Sequence, residues 1–346
     1  MSRVLEKKGD YLEATQLLTE SVEIERRNRG TDSPDYTMAL HNLAGALARL
    51  GDLYGSEARL RESLATERRV LGSDHPDLGY PLNLLGATML DEGDWRTAEP
   101  LLRESLAIWS KLGPNHPLRI TGLRNWARAL QAKGKYSEAR QYFRKALAGT
   151  QRSQPPDTYR ATRIYYYLAL LEFDAARYTE AEALAKQTLS AQREVVGGES
   201  APDTAWTMIA LGETRVFQHD PQGAEPLLRG ALEIFEKKLP PHYPPITTDQ
   251  VRLGEALTAE GKAPTAEPIL REALASAYSP PFRIPTWQVG EAESALGWCL
   301  AALGSKQEAH RLLEQSQKKL AADPTPIFRK QAAAHLAALV HAQERP

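Results

Sequence analysis

Leu82, Leu85, Met89 and Leu90 recur at three- and four-residue steps, which places one apolar stripe along a first helix. After Gly93-Asp94, Trp95, Ala98, Leu101, Leu102, Leu106 and Ile108 draw a second stripe. They predict a helix from about Trp95 to Lys111, roughly 25 Å long at 1.5 Å per residue. Leu112-Gly113-Pro114-Asn115-His116-Pro117 stops that helix and starts the next. The turn between paired helices recurs at Gly9, Gly51, Gly93, Gly134, Ala176, His219, Gly261 and Gly304, with spacings of 42, 42, 41, 42, 43, 42 and 43 residues. A unit of this length, written in helix formers, cannot bury its stripe alone and must stack on its neighbours. The expected fold is therefore all-α, a solenoid of stacked antiparallel helix pairs.

Small residues hold fixed places in this pattern. Seven and eight positions before each turn stand Leu43-Ala44, Leu85-Gly86, Trp126-Ala127, Leu168-Ala169, Leu211-Gly212, Leu253-Gly254 and Leu296-Gly297. Five after it stand Ala14, Ser56, Ala98, Ala139, Ala181, Ala224, Ala266 and Ala309. Matched small residues let two helix axes approach closely, so this is a packing signature. Pro100, Pro226 and Pro268 fall seven after the turn, near enough to the helix start to disturb only one or two backbone bonds.

At Leu71-Gly72-Ser73-Asp74-His75-Pro76-Asp77, Asn42-Leu43, Asn83-Leu84 and Ala98-Glu99-Pro100-Leu101-Leu102 the chain resembles tetratricopeptide repeats, in the 42-residue version of kinesin light chains and their bacterial relatives. The resemblance covers nearly the whole chain and implies a right-handed superhelix (TPR superhelix). It also implies a role in holding proteins, as cargo adaptor, signalling scaffold or arm of an enzyme. The later units depart from the pattern: the Asn of the first helix, present at Asn42, Asn83 and Asn125, gives way to Tyr167, Ala210, Arg252 and Ala295. An asparagine ladder gripping peptide backbone is thus implied only for the first three full repeats.

The resemblance places first helices on the concave surface. Counting from each turn, the partner-binding groove is expected to include His41, Asn42, Arg49, Tyr80, Asn83, Arg124, Asn125, Arg128, Arg163, Tyr166, Tyr167 and Trp206. Arg offers forked donors to carboxylates or phosphates, and Tyr supplies rigid contact area. The expected ligand is an acidic or C-terminal segment of a protein or peptide. The bland alternative pairs these arginines with Glu213 and neighbouring acids.

Composition narrows the field. Lys plus Arg (43) balance Asp plus Glu (44), removing the basic excess that drives general nucleic-acid binding. No run reaches the roughly 18 apolar residues needed to span a bilayer, and no secretory signal opens the chain, so a cytoplasmic location without membrane contact is expected. The single Cys299, set among Leu296, Trp298 and Leu300, reads as a buried thiol. His75 and His116 recur in loops one repeat apart without a second ligand at helical spacing, and read as turn residues that cap helices. No phosphate loop, His-Glu-x-x-His or Gly-x-Ser-x-Gly is present, so neither metal, cofactor nor catalysis is expected.

The organisation expected is a single solenoid over 1–346: a half repeat at 1–30, full repeats at about 34–71, 76–113, 117–153, 157–197, 202–239, 244–279 and 285–322, and a capping helix at 326–343. Ile327, Phe328, Ala332, Leu336, Leu339 and Val340 form the apolar face of that cap, with Arg329, Lys330 and Gln331 toward water. At the other end, Leu17, Leu18, Val22 and Ile24 lack a preceding first helix. Either Val4 and Leu5 cover them or the chain is the tail of a longer protein; self-association through that helix is a third option. The leading function is a non-catalytic scaffold or adaptor for a peptide or protein segment. The alternative is the docking arm of a larger signalling protein, such as a bacterial serine/threonine kinase.

Overall fold

The computed structural model describes residues 10–73, 75–153, 156–194, 201–279, 283–320 and 330–337. Among them there is no strand. The helices are α1 (Tyr11–Arg29), α2 (Pro34–Leu50), α3 (Leu53–Leu71), α4 (Gly79–Asp91), α5 (Trp95–Trp109), α6 (Pro117–Ala132), α7 (Tyr136–Gln151) and α8 (Thr158–Asp174), followed by α9 (Tyr178–Arg193), α10 (Pro202–Phe217), α11 (Pro221–Lys238), α12 (Pro244–Ala259), α13 (Ala263–Tyr278), α14 (Thr286–Ala302) and α15 (Lys306–Leu320). A 3₁₀ turn at Pro76–Leu78 leads into α4. The chain divides between Leu171 and Glu172 into two compact units.

In the first unit α2 packs on α3, α4 on α5 and α6 on α7; in the second, α10 packs on α11, α12 on α13 and α14 on α15. Each pair is closed by the same turn. Gly51, Gly93, Gly134, Gly261 and Gly304 have positive φ, and so do Ala176 (57°) and His219 (63°) where glycine is missing. The next residue's N–H then reaches a carbonyl five positions back, as from Asp52 to Leu47 (2.9 Å), Asp94 to Met89 (2.8 Å), Arg177 to Glu172 (2.8 Å) and Asp220 to Arg215 (2.9 Å). The aspartates after the turn cap the second helix: Asp52 accepts from the Gly55 N–H, Asp94 from Thr97 and Asp220 from Gly223. Backbone satisfaction therefore fixes the turn, and the left-handed residue is imposed even on Ala and His.

The matched small residues meet as expected. A Cβ on Gly86 would lie 2.6 Å from Leu102, on Gly212 2.9 Å from Leu228, on Gly254 2.3 Å from Leu270 and on Gly297 2.8 Å from Leu313. Each is the same contact, between the residue seven before the turn and the leucine nine after it. Pro100, Pro226 and Pro268 each occupy the sixth position of their helix. Cys299 is buried, and its thiol donates to the Ala263 carbonyl at 3.4 Å.

Leu18 and Val22, expected to lie uncovered, are buried against Tyr36, Ala39, Leu40 and Leu43 of α2. The reason is that a second helix also packs on the first helix of the following repeat, so α1 needs no predecessor to bury these two. Ile24 does stay exposed. Of the expected cap, 330–337 is helical, Ala332 is buried and His335 stacks on Trp298 at 4.6 Å. Val4, Leu5, Gly9, Ile327, Phe328, Arg329, Leu339 and Val340 lie outside the described residues.

Candidate functional site: an arginine and asparagine cluster on the first helices

The first helices of the first unit stack on one another, α2 on α4 and α4 on α6. Asn83 and Asn125 come into register 42 residues apart, and the Asn125 Nδ2 donates to Asn83 Oδ1 at 2.8 Å. Arg124 Nε donates to Asn125 Oδ1 at 3.1 Å. Both asparagines are buried at 1% exposure, and the Asn83 Nδ2 has no hydrogen-bond partner. The asparagine at the ladder position thus spends its acceptor on its neighbour and keeps a donor in reserve.

One repeat further on, α8 supplies Tyr167 at the same ladder position. The Arg128 guanidinium lies 4.6 Å from its ring centroid and that of Arg124 5.7 Å. Tyr166 meets Tyr167 edge-on at 5.2 Å. Arg128 is ion-paired with Asp91 of α4. Burial, followed by repulsion from Arg163 and attraction to Tyr167, governs Arg124, and the net effect pulls its guanidinium down to about 9. Burial alone would raise the Tyr167 phenol, but Arg128 and Arg163 outweigh it and hold the group below its ordinary value. Three guanidinium groups therefore act on one tyrosine, with Asp91 the acid that partly offsets them.

The other expected residues are placed differently. Arg49 turns back to Tyr11 of α1, donating to its hydroxyl at 3.1 Å. His41 is buried, its Nε2 2.7 Å from Ser63 Oγ and 3.0 Å from Glu67 Oε1, and Tyr80 packs on its ring at 5.1 Å. Asn42 is half-buried. Trp206 belongs to the second unit, where it packs edge-on against Phe235 at 5.2 Å. Glu213, the acid suspected of neutralising the arginines, is bound to Arg252. His75 and His116 accept hydrogen bonds from the Asp77 and Leu118 N–H groups, both at 3.3 Å, as helix caps. Among the described residues no three His, Cys, Asp or Glu side chains gather to hold a metal.

Two features escaped the sequence. Asp91 stands 37 residues before Arg128, a separation shared by Asp32 with Arg69, Glu225 with Lys262 and Arg271 with Glu308. Opposite charges 37 apart are the signal that would have found it. The second unit instead carries acids: at its ladder position Arg252 is buried against Glu291 (2.7 Å), Glu255 (3.1 Å) and Glu213. Burial pushes Glu255 up to about 7 despite Arg252.

No functionally curated protein matches the chain in sequence. Among solved structures it is similar to the Rap protein complexed with competence and sporulation factor, at TM-score 0.64 and 14% identity over 98% of this chain and 97% of that one. It is similar to the APC/C hetero-tetramer Cut9-Hcn1 at TM-score 0.62 and 15% identity, over 98% of this chain and 54% of that one. BtubC (BKLC) from P. vanneervenii matches at 23% identity over 64% and 90%, with TM-score 0.47. The first two likenesses bear on the fold. The tetratricopeptide repeat family matches residues 35–111, 81–152 and 160–237, more than half of the sequence. Paired helices, a shared turn and a recurring glycine–leucine contact agree with that match, and the chain belongs to the tetratricopeptide repeat family.

Proposed function

We propose that the chain is a non-catalytic interaction scaffold whose first unit holds an acidic protein or peptide segment along α4, α6 and α8. Family membership supports the scaffold role. The observation that carries the acidic ligand is the gathering of Arg124 and Arg128 on Tyr167, with the charge of Arg163 acting on the same phenol, beside the spare Asn83 amide donor. A carboxylate entering there meets fixed forked donors and relieves their mutual repulsion, while Asn83 offers its N–H to a backbone carbonyl. Among the described residues no helix is long and apolar enough to cross a membrane.

The test is fluorescence anisotropy with a labelled Glu-rich nonapeptide and its Gln-for-Glu counterpart. The acidic peptide binds more tightly, and its affinity falls steeply with salt. Arg124→Glu with Arg163→Glu weakens it by about tenfold or more, a loss of at least ~1.4 kcal/mol. Because Arg124 is buried, Arg163→Gln alone is measured alongside, with circular dichroism and melting temperature to show the fold intact. Undiminished binding in both variants would move the site off this cluster.

A further inference from the structure

A cavity of about 340 Å³ opens between the start of α2, the end of α3 and the 3₁₀ turn of the first unit. That volume is at the small end of ligand pockets, roughly 300–1,000 Å³. Met38, Val70 and Tyr80 line it, and they are three of the six large hydrophobic side chains left exposed among the described residues. Their gathering in one concavity marks a contact surface. Its charged lining is acidic, from Asp32, Glu67 and Asp77, with no Lys or Arg among the lining residues. Asp32 is partly neutralised by Arg69, whereas Glu67 receives only the Ser63 hydroxyl and His41.

His41 adds a second, independent sign. Its ring is 5% exposed and lines the cavity. With the Ser63 hydroxyl hydrogen given to Glu67 at 3.0 Å, the close approaches of His41 Nε2 to Ser63 Oγ (2.7 Å) and Glu67 Oε1 (3.0 Å) are hydrogen bonds in the tautomer that carries its hydrogen on Nε2. In the neutral ring Nδ1 is then a lone-pair acceptor, and it is buried with no hydrogen-bond partner. A buried acceptor without a donor is costly, and a ligand N–H would remove that cost.

We propose that this cavity is a second binding site, which receives a Lys or Arg side chain, with apolar neighbours, from a partner's peptide segment. The aliphatic stem lies on Met38 and Val70, and the cationic head lies near Glu67 and Asp77 beside the Tyr80 ring. An N–H of the head or of the adjacent backbone donates to His41 Nδ1. The ligand chemistry is opposite to that of the arginine cluster, so the two sites read different segments.

Three labelled hexapeptides test this on the full chain: alternating Lys and Leu, Lys and Ser, and Glu and Leu. The Lys/Leu peptide binds best, and Met38→Ser and Val70→Ser, both at exposed positions, each weaken it by about fivefold or more. His41→Gln keeps an N–H toward Ser63 and Glu67 but removes the Nδ1 acceptor. It lowers affinity by a similar factor at an unchanged melting temperature. Arg163→Gln leaves Lys/Leu binding as it was, which separates this result from failure of the acidic-segment reading. Equal binding of Lys/Ser or Glu/Leu peptide, indifference to Met38→Ser and Val70→Ser, or sensitivity to Arg163→Gln would overturn the proposal.

Discussion

At the scale of single residues, Asp249 is the clearest conflict. It is fully buried in α12, and both carboxylate oxygens lack hydrogen-bond partners. Twelve positions before the other turns stand Ala39, Pro81, Gly122, Ile164, Thr207 and Ala292, all small or apolar or able to satisfy themselves on the helix. Burial first, and then Glu213 and Glu236, hold the Asp249 carboxyl well above its ordinary value. A raised carboxyl means the folded state keeps a proton that the unfolded chain releases. Its contribution is harmless below pH 3.8 and becomes a penalty as pH rises from there through the folded value. Burial also leads the upward shifts of Glu213 and Glu255, the latter to about 7. Melting of the second unit, followed at Trp206, Trp287 and Trp298, is therefore expected to rise as pH falls from 8 to 5.5. Asp249→Ala is expected to stabilise by about 1–3 kcal/mol at pH 8 and to flatten that dependence. A variant that melts lower at pH 8 would show that the carboxylate is serving a partner.

At the scale of helices, one contact decides how each pair closes. Gly254 admits the Leu270 side chain at a place where a Cβ would stand 2.3 Å from it, while a Cβ on Gly45 of α2 would meet nothing within 4 Å. Gly254→Ala is expected to lower stability by about 1–3 kcal/mol through overpacking. Gly45→Ala, in an equally helical setting, is expected to gain up to about 1 kcal/mol from helix propensity. Urea titration of both measures the difference. If both variants gained stability, the glycine would be dispensable and the spacing of α12 and α13 would be set elsewhere. Adding Leu270→Ala to Gly254→Ala completes a cycle in which the loss is less than the sum of the two.

At the scale of the whole molecule, the legible and the hidden parts divide by physical cause. The turn positions were readable because one backbone geometry recurs at each described turn and glycine is its cheapest occupant; Ala176 and His219 were readable only from the spacing. The core was readable because matched small residues mark where axes approach. The placement of the candidate residues was half readable. Arg124, Arg128, Arg163, Tyr166 and Tyr167 come together as the period implies, but ring stacking and pairing with Asp91 depend on side-chain reach across repeats, which no local pattern records. Arg49 and His41 were drawn away by Tyr11 and by Ser63 with Glu67, through contacts set by rotamers. The shared turn has one more consequence. Gly51-Asp52 and Gly93-Asp94 are the same joint, a left-handed glycine followed by a capping aspartate. Excising residues 52–93 would rejoin Gly51 to Asp94 and rebuild that joint from halves that already fit. The shortened chain is expected to melt cooperatively with undiminished mean helicity per residue, by circular dichroism, whereas removing 56–93 joins Gly55 to Asp94, four residues out of phase, and is expected to aggregate. Loss of one whole repeat at that joint is then tolerated where loss of a fraction of a repeat is not.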